Sequence, residues 1–326
     1  MDKQSDVLVE VQQVVKHFPV KGGILLHEVD SVKAVNDVSF QIRRGETFGL
    51  VGESGCGKST LGNILLGLER PTGGTVLYNG TDLYHCGRST YKQLRQEIQV
   101  VFQDPYESLN PRMTVGELVS EGLNIRGGMS KEEKKRRVLE ILEQVGLNPE
   151  HYSRYPHEFS GGQRQRIGIA RALIVEPKFI ICDEPVSALD VSVQAQIINL
   201  LSDLQKKYDM TYLFIAHGLN VVKYLSDRIG VMYLGQLVEI ADSETLFDNP
   251  LHPYTQALLQ AIPDVDRVGG QFPETLSGDV PSPLRLPEGC LFHPRCSKCS
   301  EICKKSRPEL RTVGGTMVRC HLYDPE

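Results

Sequence analysis

At 326 residues the chain is long enough for one large domain with a smaller companion. Its 40% apolar content and formal charge of -5 are ordinary for a soluble globular protein, and nothing marks a nucleic-acid-binding surface. No apolar run approaches the ~18 residues of a membrane span. Met1-Asp2-Lys3-Gln4-Ser5-Asp6 lacks the charged-then-apolar pattern of a leader, so the expected location is the cytosol, with any membrane role reached through other subunits.

In chain order, Thr47–Val51 reads as a short buried strand. It runs into Gly52-Glu53-Ser54-Gly55-Cys56-Gly57-Lys58-Ser59, and Thr60–Leu68 follows as a helix with Leu61, Ile64, Leu65 and Leu68 inward. Strand, glycine loop and helix form a phosphate-binding loop, as found in ATP- and GTP-users. Gly52, Gly55 and Gly57 let the backbone turn N–H groups onto phosphate oxygens. Lys58 places a charge by the β- and γ-phosphates, and the Ser59 hydroxyl can ligate Mg²⁺. Cys56 reads either as an oxidation-sensitive thiol or as a small residue filling space.

Ile98–Phe102 is a second buried strand, ending at Gln103, whose amide could touch Mg²⁺ or the attacking water. From about 104 to 172 the character is helical. Ser130 and Glu133 form a capping box, Val138, Ile141, Leu142 and Val145 follow at helical spacing, and Gly146 closes the helix. Ser160-Gly161-Gly162-Gln163 opens a further helix, whose start can hold an anion. Because the first loop already encloses a triphosphate, a second grip in the same chain makes sense if it faces a partner's nucleotide.

Phe179–Cys182 is the next strand. Asp183 at its end is placed to position magnesium, and Glu184 to polarise water. Tyr212–Ile215 precedes His217, which can donate to the γ-phosphate, and Ile229–Met232 is a last buried strand. After Ile240 the strand pattern stops. Pro250, Pro253, Pro263, Pro273, Pro281, Pro283 and Pro287 mark a loop-rich stretch, placing a domain boundary near 245: residues 1–245, then 246–326.

Cys56, Cys86 and Cys182 are scattered, whereas Cys290, Cys296, Cys299, Cys303 and Cys320 crowd the last forty residues. A reducing compartment favours a metal or cluster over disulfides. Four thiolates can hold zinc or a 4Fe–4S cluster, and spacings of x5, x2, x3 and x16 suit a two-pair zinc site poorly.

Taken together, these motifs resemble the ATP-binding subunits of ABC transporters. Gly52–Ser59 is similar to Walker A, Phe179–Glu184 to Walker B, and Phe159–Gln163 to the family signature. Gln103 falls at the Q-loop, Ser187-Ala188-Leu189-Asp190 at the D-loop and His217 at the switch histidine. The resemblance implies an α/β fold: a P-loop ATPase of ABC type with a RecA-like core, a helical insert and an irregular Cys-rich C-terminal domain. It implies ATP and Mg²⁺ held by Phe18 (stacked on adenine), Gly52, Glu53, Ser54, Gly55, Cys56, Gly57, Lys58, Ser59, Thr60, Gln103 and Asp183. A partner's ATP would meet Ser160, Gly161, Gly162, Gln163 and Asp190. Catalysis would fall to Glu184, His217 and Gln103, and Mg²⁺ to Ser59, Gln103 and Asp183. Two residues depart from the pattern: Phe159 replaces the commoner Leu, and Gly218 replaces the usual Asp, loosening the turn that holds His217.

Gln103–Arg112, Arg154–Glu158 and Asn249–Leu258 resemble the dipeptide/oligopeptide/nickel importer branch, and Ser108–Arg112 its second ATPase subunit. This implies ATP-driven peptide import by a peripheral protein on the cytoplasmic face of the membrane. The implied partners are a related second ATPase subunit, two transmembrane permease subunits and, indirectly, an extracytoplasmic solute-binding protein, with no nucleic acid. The branch also implies a 4Fe–4S cluster on Cys290, Cys296, Cys303 and Cys320. Cys299 stands where the branch has another residue. The competing reading is a soluble ABC-type ATPase acting on DNA or ribosomes. Such proteins carry coiled-coil or zinc insertions or two ATPase units, and neither feature is present here.

Overall fold

The computed structural model describes residues 6–22, 27–262 and 278–325. Pro263, Pro273 and the first five residues lie outside them. The strands are β1 (Val7–Gly22), β2 (His27–Arg43), β3 (Thr47–Val51), β4 (Gly73–Tyr78), β5 (Thr81–Asp82), β6 (Ile98–Val101), β7 (Phe179–Asp183), β8 (Thr211–Ala216), β9 (Arg228–Tyr233), β10 (Gln236–Asp242), β11 (Arg311–Val313) and β12 (Thr316–Val318). The helices are α1 (Lys58–Leu65), α2 (Arg88–Glu97), α3 (Pro105–Ser108), α4 (Val115–Arg126), α5 (Lys131–Gln144), α6 (Gly161–Leu173), α7 (Val191–Tyr208), α8 (Leu219–Lys223), α9 (Ser243–Asp248), α10 (Pro253–Gln260) and α11 (Glu301–Lys305).

The chain folds into two compact units that do not follow chain order. One comprises residues 1–42, 47–84 and 216–326; the other comprises 43–46 and 85–215. In the first unit the order β2-β1-β4-β5 makes one sheet, and β11-β12-β10-β9-β3 run side by side. Strand β3 pairs in parallel with β9, placing Val51 beside Val231. All five residues of β3 are buried. A strand buried on both faces has no polar side to show, which is why it reads as an unbroken apolar run. Phe40 stacks on Phe48 at 4.9 Å beneath it.

The helix after the phosphate loop starts at Lys58 and ends at Leu65, two and three residues earlier than its sequence pattern suggests. Gly67 at φ 69° ends it, and the Leu68 N–H returns to the Asn63 carbonyl at 2.9 Å. This left-handed glycine cap turns Leu68 outward, leaving it 53% exposed.

The expected end of strands at Ile240 is also corrected. Strand β12 pairs antiparallel with β10, setting Glu239 opposite Val318, and β11 pairs with β12. Residue 245 lies inside α9 and inside the first unit, so compactness shows no division there. The three-residue strands β11 and β12 are too short to show a period of two, and their hydrogen bonding depends on a distant edge.

Within that unit the Asn249–Tyr254 loop is pinned to β10. Glu239, fully buried, accepts the Leu251 N–H at 2.7 Å and the His252 N–H at 2.9 Å. His252 Nδ1 accepts the Tyr254 N–H at 3.0 Å and so caps α10. Burial pushes the His252 imidazole down to about 3, against a contact with the Arg319 backbone that acts the other way. Burial raises the Glu239 carboxyl above its ordinary range. The unfolded chain therefore protonates His252 first, so its contribution to stability is full above about pH 6.5 and falls away below it. Glu239 works in the opposite sense, favouring the fold as it gains a proton. Between about pH 7 and about pH 5, His252 is expected to remove about 2 kcal/mol of stability. His252→Asn keeps a capping oxygen but cannot titrate, so urea melts of the variant should show a flatter pH dependence. Equal slopes in the two proteins would contradict this.

In the second unit β8-β7-β6 run in parallel, with Ile181 beside Leu213 and Val100 beside Ile181. Helices α3 to α6 cover the expected 104–172 region. Val115, Val119, Leu123, Val138, Leu142 and Ile167 are each wholly buried there, worth roughly 1.5–3 kcal/mol apiece. The Ser130 hydroxyl oxygen accepts from Glu133 N–H at 3.1 Å, and Gly146 (φ 73°) closes α5 as expected. A full reciprocal capping box joins Thr114 and Glu117 instead, ahead of α4.

Candidate functional site

In the first unit the phosphate loop joins β3 to α1, and backbone atoms wall it closely. Gly57 caps α1 at φ 106°, and a Cβ there would lie 2.1 Å from the Ala34 carbonyl oxygen. At Gly52 (φ 157°) a Cβ would lie 2.1 Å from the Met232 carbonyl oxygen. Both positions require glycine for close approach. Gly55, at φ 77° with open space around it, requires it for conformation alone. The Cys56 carbonyl accepts the Gly235 N–H at 2.8 Å, which ties the loop to the turn after β9.

Lys58 is buried, and its ammonium donates to the Gly52 carbonyl at 2.8 Å and the Glu53 carbonyl at 3.1 Å. It points back across the loop. Cys56 Sγ lies 3.9 Å from that ammonium, yet burial raises the thiol above its ordinary range. Burial outweighs the cation and disfavours the thiolate, the reactive form, which suits the space-filling reading of Cys56. Ser59 is exposed on the first turn of α1, and Ser54 and Gly55 are exposed with it. Thr60 is half-buried. Phe18 is half-buried on β1, with Lys16 Nζ 4.7 Å from its ring centroid.

His217, exposed, follows β8. Gly218 lies at φ −106°, ψ 138°, a conformation open to any residue, and caps α8 without a side-chain hydrogen bond. Glycine there withholds the capping oxygen that Asp would bring; the backbone does not demand it.

The second unit carries the carboxylates and the signature helix. Strand β7 delivers Asp183, half-buried, and Glu184, 6% exposed. Glu184 lies in the left-handed region at φ 49°, uncommon for a residue with a side chain. Neighbours hold it there: its N–H donates to the Ile215 carbonyl at 3.0 Å, and its carbonyl accepts from Ser187 Oγ at 3.1 Å. Strained backbone of this kind concentrates at functional sites.

Ser160 caps α6, its hydroxyl oxygen accepting the Gln163 N–H at 3.4 Å while Gln163 Oε1 accepts the Ser160 N–H at 3.1 Å. This box fixes the helix start and leaves the hydroxyl hydrogen available to an anion. A Cβ on Gly162 would lie 2.4 Å from Val193 Cγ1, so the second signature glycine lets α7 approach. Asp190 is exposed at the start of α7, and Gln194 donates to the Val186 and Leu189 carbonyls at 2.9 Å each, stapling the Ser187–Asp190 loop.

Sequence reasoning missed how α6 grips the segment after Gln103. Gln165 Nε2 donates to the Phe102 carbonyl at 3.3 Å, Arg171 Nη1 to the Ser108 carbonyl at 2.6 Å, and the Arg164 guanidinium lies 3.7 Å from the Tyr106 ring centroid. Exposed Gln103 and the signature helix are therefore mechanically linked within one unit. Residues 102–108 and 164–171 are too far apart in sequence for any local pattern to reveal this.

The cysteine-rich tail belongs to the first unit. Cys303 and Cys320 are buried, and Cys290 and Cys296 are half-buried. The Cys290 N–H donates to the Cys303 carbonyl at 2.8 Å. Burial pushes the Cys290 and Cys320 thiols up to about 11, with the neighbouring cysteines, Cys296 and Cys303 among them, adding to the rise. These four thiols are thus electrostatic neighbours, and Cys299 adjoins Cys303. Among the described residues no group of three or more His, Cys, Asp or Glu side chains is arranged to hold a metal ion.

Two family models match the chain: ABC transporter over residues 35–187, and oligopeptide/dipeptide transporter, C-terminal region, over 238–303. The oligopeptide transport ATP-binding protein AppF of Bacillus subtilis is 49% identical over 98% of each chain. The dipeptide transport ATP-binding protein DppF of Escherichia coli is 49% identical over 98% of this chain and 95% of its own.

The chain belongs to the ATP-binding subunits of oligopeptide/dipeptide ABC transporters.

Solved structures agree. An ATP-binding cassette captured as a dimer after hydrolysis, with ADP and phosphate, matches at TM-score 0.64 and 32% identity over 72% of this chain and 99% of its own. CbiO1 of Clostridium perfringens, part of an ABC transporter complex, matches at 0.65 and 28% over 75% and 92%. As a member of this family the chain is an ATPase. The C-terminal match extends into the cysteines, which makes residues 238–303 a feature of the peptide branch. Among the described residues no helix is long and apolar enough to cross a membrane.

Proposed function

We propose that this chain energises peptide import: it hydrolyses ATP as one of a pair of ATPase subunits docked on two permease subunits at the cytoplasmic face of the membrane. A related but different chain is the second ATPase, and a solute-binding protein outside the membrane selects the peptide. The observation that carries this reading is near-full-length similarity to ATP-binding subunits of peptide transporters, tail included.

The phosphate loop binds the triphosphate, with Lys58 and the loop N–H groups meeting its charge and Phe18 stacking on the base. Glu184 accepts the proton of the attacking water as its oxygen reaches the γ-phosphorus and the bond to ADP breaks. His217 donates to the γ-phosphate. Ser160 to Gln163 and Asp190 meet the partner's ATP. Ser59, Asp183 and Gln103 supply a hydroxyl, a carboxylate and an amide, oxygen donors that suit Mg²⁺, which when bound neutralises phosphate charge. Gln103, linked to α6 through Gln165 on its neighbour Phe102, relays the state of the nucleotide to the helical region that docks the permease.

For the tail, Cys290, Cys296, Cys303 and Cys320 would hold a 4Fe–4S cluster through four thiolates, the donor type such a cluster takes. Its role is structural or regulatory. Protein purified without oxygen should be coloured, with iron and sulfide in equal amounts. Colourless protein with one zinc, or with free thiols alone, would contradict it.

The test of function is uptake. Cells lacking this chain should fail to accumulate labelled di- and oligopeptides, and the tagged chain should carry hydrophobic permease subunits through purification. Normal uptake in the deletion strain, or co-purification with ribosomes or DNA instead, would overturn the reading.

A further inference from the structure

Two side chains of the C-terminal segment hold one residue of the phosphate loop. Arg295, the neighbour of Cys296, places its guanidinium squarely on the Glu53 carboxylate. Nη1 lies 2.7 Å from Oε2 and Nη2 lies 3.0 Å from Oε1. The fork is partly buried, with the Arg295 side chain 5% exposed and that of Glu53 26%. The Glu53 N–H in turn donates to Tyr254 Oη at 3.0 Å. Both holding residues rise from one aromatic block: Tyr254 packs on Tyr233 at 4.8 Å and on Phe292 at 5.3 Å, and Arg295 lies 5.9 Å from the Tyr233 ring. Phe292 belongs to the same Cys290–Cys296 loop as Arg295.

The chemistry gives this contact a consequence for nucleotide. Glu53 is the only acidic residue in 52–60, and this loop receives a highly charged anion. A bare carboxylate there repels phosphate, and more strongly because the surroundings are partly buried. A guanidinium fork cancels the charge and fixes its direction, which a flexible ammonium does less well.

We propose that Arg295 and Tyr254 are positioning residues for ATP, through which the C-terminal segment sets the affinity of the phosphate loop. This rests on the ATPase reading and goes beyond it, since a tail outside the ATPase motifs tunes the nucleotide site.

The experiment measures binding of a fluorescent ATP analogue with Mg²⁺ to the purified full chain, and the KM and kcat for ATP of the assembled transporter. Arg295→Met should raise Kd about tenfold, and Arg295→Lys, which keeps charge but loses the fork, about threefold. In the assembled complex KM should rise in parallel while kcat stays within about twofold. The double variant Arg295→Met with Glu53→Gln removes both charges and should bind ATP at least about threefold more tightly than Arg295→Met alone. A general loss of folding at Arg295 would lower kcat along with binding, whereas the proposal moves KM and Kd and leaves kcat. Should Arg295→Met not fold, Tyr254→Phe serves with Arg295→Lys, because it keeps the aromatic block and deletes only the hydroxyl; a rise in Kd in both supports the proposal. Wild-type affinity in Arg295→Met, in either substitute variant, or a double variant no better than the single, would overturn it. Absence of nucleotide binding by the wild-type chain would instead overturn the ATPase reading, and this proposal with it.

Discussion

Glu184→Gln is expected to slow ATP hydrolysis by about 10²–10⁴-fold, the range for loss of a general base, while ATP still binds. Gln has the size and shape of Glu, so the local fold should persist. The backbone there is fixed independently of the carboxylate, by the N–H to Ile215 and the carbonyl accepting from Ser187. What is lost is the charge that accepts a proton from water. ATP then stays intact on the protein, and the paired, nucleotide-bound form accumulates. Phosphate release in single turnover is the direct measurement. A rate within tenfold of wild type, with the partner site also disabled, would remove Glu184 from the role of base.

The second large effect is expected at Gly57. Gly57→Ala imposes a Cβ 2.1 Å from the Ala34 carbonyl oxygen at φ 106°, and neither backbone can yield without moving β2 or α1. Strain and overpacking together should cost about 3 kcal/mol or more, raising the Kd for ATP at least about 100-fold. Gly55→Ala is the matched comparison. It too sits at positive φ, 77°, but nothing lies within 4 Å of its Cβ. Its cost should be the conformational strain alone, about 1 kcal/mol, and about tenfold or less in Kd. Equal losses at the two positions would mean that φ alone decides, and that the close approach to Ala34 is immaterial.

The sequence made legible whatever repeats locally or is fixed by local chemistry. β3, β6, β7, β8 and β9 fall within a residue or so of their apolar runs, since strands covered on both faces are mostly apolar; β6, with Gln99 and Val100 half-buried, is the least enclosed. Ser160 and Gly146 were visible because capping depends on only a few neighbouring residues. Leu68 was misplaced because a left-handed Gly67 ends its helix, and a one-residue dihedral choice overrides a helical period. β11 and β12 were invisible because strands of three residues carry no period, and the edge of β10 that recruits them is some 75 residues away. Within the site, residue types were legible and their couplings were not. Glu53 is recognisable as a loop residue, but its partner Arg295 lies 242 residues later in an irregular segment. The grip of Arg164, Gln165 and Arg171 on residues 102–108 shares that character: long side chains reaching backbone and ring atoms that only the folded chain brings near.

The account depends on ATP joining this chain to a second ATPase subunit. The most direct measurement is light scattering on a sizing column of Glu184→Gln protein mixed with the second ATPase subunit of its transporter, with and without ATP and Mg²⁺. The account predicts separate monomers without nucleotide and a one-to-one pair with it, lost again on Ser160→Arg. Monomers under both conditions, with ATP demonstrably bound, would contradict it.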